Sequence, residues 1–126
     1  MFNRYIREAP TSELVEYLFS YGTLQKETVQ LRLFGKSLRS SSDVLQGYRV
    51  IAFEVKDESF LSKGEASHQM TVVLSGNNDD VINGRVLEMT IEELTITDRY
   101  EPKEYERIKV KLRSGKEAWV YLVKPQ

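Results

Sequence analysis

Residues 18–24 read Leu18-Phe19-Ser20-Tyr21-Gly22-Thr23-Leu24, an apolar run that stops at a glycine turn. From Leu14 to Ser20 the chain is rich in large apolar and aromatic side chains, the pattern of a buried strand ending in a reversal. Beyond the turn, Leu24, Thr28, Leu31 and Phe34 fall at helical spacing while Lys26, Glu27, Gln30 and Arg32 can face water. Gly35 then supplies a stop, so a helix of about three turns is expected. A strand that runs through a glycine into a helix presents unpaired N–H groups, and the helix dipole adds partial positive charge, so carboxylates or developing oxyanions are favoured there. Gly22 lets the backbone meet a ligand with no Cβ in the way. The same residue types also serve strand-to-helix turns that bind nothing.

Outward from this turn, residues 1–13 are polar, carry Pro10 and read as a lead-in, with one domain expected over residues 14–126. Residues 37–43 hold four serines and no periodicity and read as a loop. Val44 to Val55 reads as one long strand with Gly47 as a bend or bulge. Residues 57–67 are charged and small and read as a mobile loop before a strand from Gln69 to Leu74. Ser75 to Asp80 is rich in turn residues and marks a reversal. Val81 to Met89 reads as a strand interrupted by Gly84, after which Thr90 and Glu93 form a capping box that starts a helix. Ile108–Leu112 and Ala118–Val123 flank Ser114-Gly115, so a β-hairpin closes the chain. About six strands and two helices, in an order that does not repeat βαβ, predict an α+β fold. The expected form is a small, mainly antiparallel β-barrel with flanking helices, because closure removes exposed edges.

Composition narrows the chemistry. The chain has 126 residues, no Cys and one His, with 18 Lys plus Arg against 19 Asp plus Glu. The lack of Cys excludes disulfides, thiolate metal sites and cysteine nucleophiles, and a lone His68 excludes a histidine cluster. Basic residues are scattered, which argues against nucleic acid as a partner. No apolar run approaches the roughly 20 residues of a membrane span, and Met1-Phe2-Asn3-Arg4 lacks the apolar core of a secretion signal, so a cytoplasmic protein without membrane association is expected. Phosphate loops, dinucleotide fingerprints, serine-nucleophile elbows and metal-spaced acids are all missing from the sequence. Any chemistry must therefore rest on a carboxylate and backbone dipoles.

The second candidate element is the helix from Ile91. Ile91, Leu94, Asp98 and Glu101 share one face, so two carboxylates continue an apolar stripe, while Ile96 and Tyr100 lie on another side. Burial there would disfavour ionised Glu101 and raise its pKa toward the range useful for proton transfer. The competing reading is that Glu101, followed by Pro102, ends the helix at the surface. Tyr105 and Arg107 alternate with Glu104 and Glu106 at strand spacing. Tyr105 either donates into a pocket or simply packs, and Arg107 either pairs with Asp98 at the surface or meets an anionic ligand. His68 reads as an ordinary loop or strand-edge histidine.

Taken in order, Leu18 through Leu24, Gly84-Arg85-Val86-Leu87-Glu88, Asp98-Arg99-Tyr100-Glu101, Tyr105-Glu106-Arg107 and the hairpin Gly115 to Leu122 resemble the γ-glutamyl cyclotransferase-like family. The resemblance spans roughly residues 15–123. It implies a small β-barrel with flanking helices and the cyclisation of a γ-glutamyl amide to 5-oxoproline, with release of an amine or amino acid and no cofactor. By that resemblance Glu101 is the general base and then the general acid, the backbone of Tyr21, Gly22, Thr23 and Leu24 holds the glutamyl moiety, and Tyr105 lines the pocket. The partner implied is a small γ-glutamyl substrate. A non-catalytic module that binds a small metabolite or a protein on the same fold is the alternative.

Overall fold

A computed structural model describes residues 14–125. The expected lead-in over residues 1–13 lies outside the described residues. The chain folds as α+β, with strands β1 (Glu16–Ser20), β2 (Ser40–Gln46), β3 (Tyr48–Glu54), β4 (His68–Leu74), β5 (Val81–Met89), β6 (Tyr105–Lys111) and β7 (Glu117–Val123). The helices are α1 (Glu27–Phe34), α2 (Glu58–Leu61) and α3 (Ile91–Tyr100), and a short 3-10 turn covers Thr23–Gln25.

Five strands form one sheet in the order β2-β5-β1-β7-β6, and β3 pairs with β4 in a separate two-stranded sheet. Every pairing is antiparallel except β1 with β7, whose register sets Leu18 beside Trp119. The strands are thus mainly antiparallel as expected, but among the described residues they number seven and hydrogen bonding does not close them into a barrel. The β3–β4 pair instead leans on the larger sheet, with β4 beside β7 and β3 beside β5. Side chains complete the join: the Thr71 hydroxyl accepts from the Val123 N–H at 2.9 Å.

Gly47 is the reason the long strand expected over residues 44–55 becomes two. It adopts φ 83°, a left-handed conformation that glycine tolerates and that turns the chain out of the first sheet. Its N–H bonds the Asp80 carbonyl and its own carbonyl accepts from Ser75, so both reversals, at residue 47 and at residues 75–80, are stitched together. The serine-rich segment expected as a loop contributes the start of β2, an edge strand, where Ser40 and Ser42 accept from the Arg85 guanidinium at 2.9 and 3.1 Å. Residues 57–67, also expected as a loop, contain α2, capped by the Asp57 carboxylate accepting from the Ser59 N–H.

Gly84 does not interrupt β5. A Cβ there would stand 2.5 Å from the Ser20 carbonyl oxygen and 2.6 Å from the Phe19 ring, so the glycine lets β1 and its aromatic side chain press against β5. The core divides in two. Phe19, Leu45, Val72, Val86 and Val120 fill one part, and Leu18, Leu87, Met89, Leu94 and Phe60 fill the other, beneath α1, α2 and α3. Fully burying a side chain of this size stabilises by roughly 1.5–3 kcal/mol, which fixes the positions of both β1 and α3.

Candidate active site

The end of β1 is held from below before its turn begins. Leu18 and Phe19 are each 1% exposed, so the chain leaves the core at Ser20 with little freedom. The 3-10 turn follows at once: the Gln25 N–H bonds the Gly22 carbonyl and the Lys26 N–H bonds the Thr23 carbonyl. The N–H groups of Thr23 and Leu24 thus precede the first internal bond of the turn. The α-helix itself starts at Glu27, after Lys26 in extended conformation, so the turn does not run straight into a helix as the spacing implied. The helix is also phased differently: Val29, Leu33 and Phe34 pack inward and Leu31 is half-exposed. Gln30, expected at the surface, is buried, its amide donating to the Leu24 carbonyl at 2.8 Å and its oxygen accepting from Leu38 at 2.9 Å. That pair of bonds holds the turn down.

The other half of the site comes from α3. The Thr90 hydroxyl accepts from the Glu93 N–H and the Glu93 carboxylate accepts from the Thr90 N–H, the expected capping box. The buried stripe then runs through Leu94, Thr97 and Tyr100, while Ile91 is half-exposed and so falls off the face expected for it. Glu101 ends the helix: its N–H still bonds the Thr97 carbonyl, but its φ and ψ of −67° and 150° are extended, as the following Pro102 demands. It also turns inward, so the two readings of this residue combine.

Between the two segments lies a cavity of about 310 Å³. Tyr21, Gly22, Thr23, Leu24, Glu101 and Tyr105, the six residues singled out from the sequence, all line it. A Cβ at Gly22 would meet nothing within 4 Å, so packing makes no demand for glycine there. Sequence reasoning missed Tyr100, Tyr121 and Glu65 on the same wall. Tyr121 alternates along β7 with side chains that are equally apolar, and Glu65 sits in an irregular segment, so neither position carries a periodic signal. His68, at the start of β4, stands on the cavity rim, mostly exposed and 3.6 Å from Glu54.

The electrostatics single out Glu101. Burial, with the like charges of Asp98 and Glu65 adding to it and Lys63 opposing, pushes its carboxyl up to about 8. None of the described residues bonds its carboxylate with a hydrogen-bond donor. Burial likewise raises the hydroxyls of Tyr21, Tyr105 and Tyr121, with the Glu101 charge contributing to each, so all three stay protonated. Two of those protons go to backbone carbonyls. Tyr21 donates to the Tyr121 carbonyl and Tyr105 to the Met70 carbonyl, both at 2.7 Å, so Tyr105 presents its ring to the cavity and its hydroxyl to β4.

Tyr121 donates instead to Asp98, at 2.5 Å. Asp98 also receives Arg107 through both of its oxygens, at 2.8 and 3.1 Å, the pairing read from the sequence as one of two possibilities. Burial works to raise the Asp98 carboxyl, and the Arg107 and Tyr121 bonds outweigh it and hold it low. The end of α3 therefore carries one carboxylate held low and, one helical turn away, another raised to about 8. Among the described residues no group of three or more His, Asp and Glu side chains is placed to hold a metal ion, and no helix is long and apolar enough to cross a membrane.

Comparison with solved structures finds the same fold elsewhere. A solution structure of an Arabidopsis thaliana protein superimposes with a TM-score of 0.61 at 21% identity, covering 86% of this chain and 62% of that one. A structure named Gamma-glutamyl cyclotransferase gives 0.62 at 21% identity, over 87% of this chain and 67% of that one. The crystal structure of an uncharacterized protein from Homo sapiens gives 0.62 at 22%, over 88% and 68%. The chain thus spans less than two thirds of the Arabidopsis protein and about two thirds of the other two. No curated protein matches the sequence. The family model for Gamma-glutamyl cyclotransferase, AIG2-like proteins matches residues 18–126, from the strand that leads into the cavity turn through the closing hairpin, and this chain belongs to that family.

Proposed function

We propose that the protein cyclises a small γ-glutamyl amide to 5-oxoproline, releasing an amine or amino acid, with Glu101 as general base and then general acid. The observation that carries this reading is the Glu101 carboxyl, raised to about 8, in the same cavity as the backbone of residues 21–24. In this reaction the neutral α-amine of the glutamyl group attacks its own side-chain carbonyl carbon. A C–N bond forms within the substrate, one amine proton passes to the Glu101 carboxylate, and the bond to the leaving nitrogen breaks as Glu101 returns that proton to it. One residue closes the proton balance, and the step requires no added oxidant, reductant or cofactor.

The enzyme supplies position and charge. An intramolecular attack gains most from a substrate held in the cyclising conformation. In this reading the N–H groups of the 21–24 turn hold the glutamyl moiety and offset negative charge on the attacked carbonyl oxygen. A pKa near operating pH suits a group that must both accept and donate, a role worth typically 10²–10⁴-fold in rate. Leu24, Tyr105 and the other apolar walls exclude water, and the cavity of about 310 Å³ favours a compact substrate over a polymer. We place the activity in a single domain over residues 14–126 acting in the cytoplasm on a small molecule.

The test is 5-oxoproline release from a panel of γ-glutamyl amides by the wild type and by Glu101→Gln, which keeps the shape of the side chain and removes its basicity. The wild type is expected to turn over at least one member, and the variant to lose at least about 100-fold in kcat. Equal release by both proteins, or ligand-induced thermal stabilisation without turnover, would reject the catalytic assignment.

A further inference from the structure

Asp98 is not among the residues that line the cavity, yet it receives three hydrogen bonds from two strands. Oδ1 accepts from the Tyr121 hydroxyl on β7 and from Arg107 Nε on β6, and Oδ2 accepts from Arg107 Nη2. An exposed ion pair held only by its two charges contributes little. This one is a two-point fork with a third donor, and the guanidinium is itself held in place. Arg107 lies over the Trp119 ring at 4.2 Å, and the Trp119 indole donates to Glu16 Oε1 at 2.8 Å.

The same contacts reach the other side of the site. Tyr121 gives its hydroxyl to Asp98 while its carbonyl takes the Tyr21 hydroxyl. One residue of β7 thus ties the turn after β1 to the last turn of α3. Glu101 is three residues beyond Asp98 on that same turn, so the angle at which α3 meets the sheet sets where its carboxyl stands. We propose that Asp98 is a positioning residue for Glu101: gripped by Arg107 and Tyr121, it pins the end of α3 to β6 and β7 and keeps the Glu101 carboxyl in the cavity opposite the 21–24 turn. This rests on the reading of Glu101 as the proton-transfer group.

Other groups also act on Glu101 and must be separated from Asp98. Lys63 and Glu65 face it from the segment between α2 and β4, and Tyr100 lies beside it on α3. Tyr21, Tyr105 and Tyr121 approach from the turn after β1, from β6 and from β7. Only Asp98 both carries charge and is bonded to two strands, so its removal should change position and titration together.

The experiment follows the Glu101 carboxyl by carbon-13 NMR in the full chain, assigned with Glu101→Gln, alongside kcat and KM for 5-oxoproline release. In Asp98→Asn the Glu101 midpoint is expected to fall by about one pH unit as a like charge is lost. In the same variant kcat should fall at least about 10-fold with KM changed less than about 3-fold, the pattern of misplacement rather than weaker binding. Arg107→Lys keeps the charge but not the fork, and it is expected to lose kcat in the same direction with the Glu101 midpoint nearer to wild type. An unchanged kcat in folded Asp98→Asn would overturn the proposal whatever the midpoint does, since loss of the like charge alone moves it. If that variant does not fold, Arg107→Lys decides it, with an unperturbed Glu101 resonance and kcat as the overturning result. If the wild type releases no 5-oxoproline from any amide, the proposed reaction fails, while the carboxyl titration still decides whether Asp98 sets the state of Glu101.

Discussion

The hydroxyl of Tyr21 donates to the backbone carbonyl of Tyr121 at 2.7 Å, a bond that spans 100 residues of sequence and ties the cavity turn to β7. Because the Tyr21 proton is engaged there, the hydroxyl serves the fold. Tyr21→Phe removes the donor and leaves a partly buried carbonyl unpaired, so it should cost about 1 kcal/mol. Urea unfolding would check this; an unchanged midpoint would show that the bond contributes nothing.

Two glycines beside that turn should respond in opposite ways to alanine. At Gly84 the new Cβ would collide with the Ser20 carbonyl and the Phe19 ring, neither of which can swing away, and a loss of about 1–3 kcal/mol is expected. At Gly22 the new methyl meets no protein atom within 4 Å, and stability should stay within about 0.5 kcal/mol of wild type. If the turn holds the glutamyl moiety, Gly22→Ala should instead raise KM. Denaturant midpoints for both variants, with KM for the second, separate packing from binding.

The capping box at the start of α3 offers a local control. Thr90→Ala removes the acceptor for the Glu93 N–H and should destabilise by about 1 kcal/mol, whereas Thr90→Ser should be close to neutral. Chemical denaturation of the two variants decides, and equal losses in both would show that the hydroxyl is not the stabilising group.

Such features were legible because their causes are local. Thr90 and Glu93 announce a helix start three residues apart, Ser114-Gly115 announces a hairpin, and the glycine at residue 35 stops α1 where the spacing placed it. What was not legible depends on distant partners. Ser40, Ser41 and Ser42 look like loop residues until Arg85 on β5 is set across from them. The run through Gly47 looks like one strand because nothing within it says that its halves join different sheets. The site divides in the same way. Tyr21 to Leu24, Glu101 and Tyr105 were readable as an ordered set, but their meeting around one cavity depends on packing. Tyr121, which joins the two halves, carries no local mark.

The raised Glu101 pKa also links the site to stability. The folded state holds this proton up to about pH 8, whereas an ordinary glutamate releases it near 4.5. The stability contributed by protonation is therefore fully present below about pH 4.5 and is lost as pH rises through about 8. The lowered carboxyls Asp43, Asp57 and Asp98 act on the acid side, where their stabilisation is lost as pH falls, so the window from about 5 to 9 reports mainly on Glu101. Unfolding free energy should fall across that window in the wild type and stay flatter in Glu101→Gln. Parallel curves would mean that Glu101 titrates alike in the folded and unfolded chains.

The most direct measurement is the pH dependence of kcat/KM for 5-oxoproline release from a γ-glutamyl amide that the wild type accepts, with Glu101→Gln beside it. The account predicts a wild-type rate that rises with pH as Glu101, raised to about 8, becomes the base and as the substrate α-amine loses its proton, and a variant that keeps only the α-amine limb and is at least about 100-fold slower. A variant that keeps both the wild-type rate and the same rising limb would contradict it.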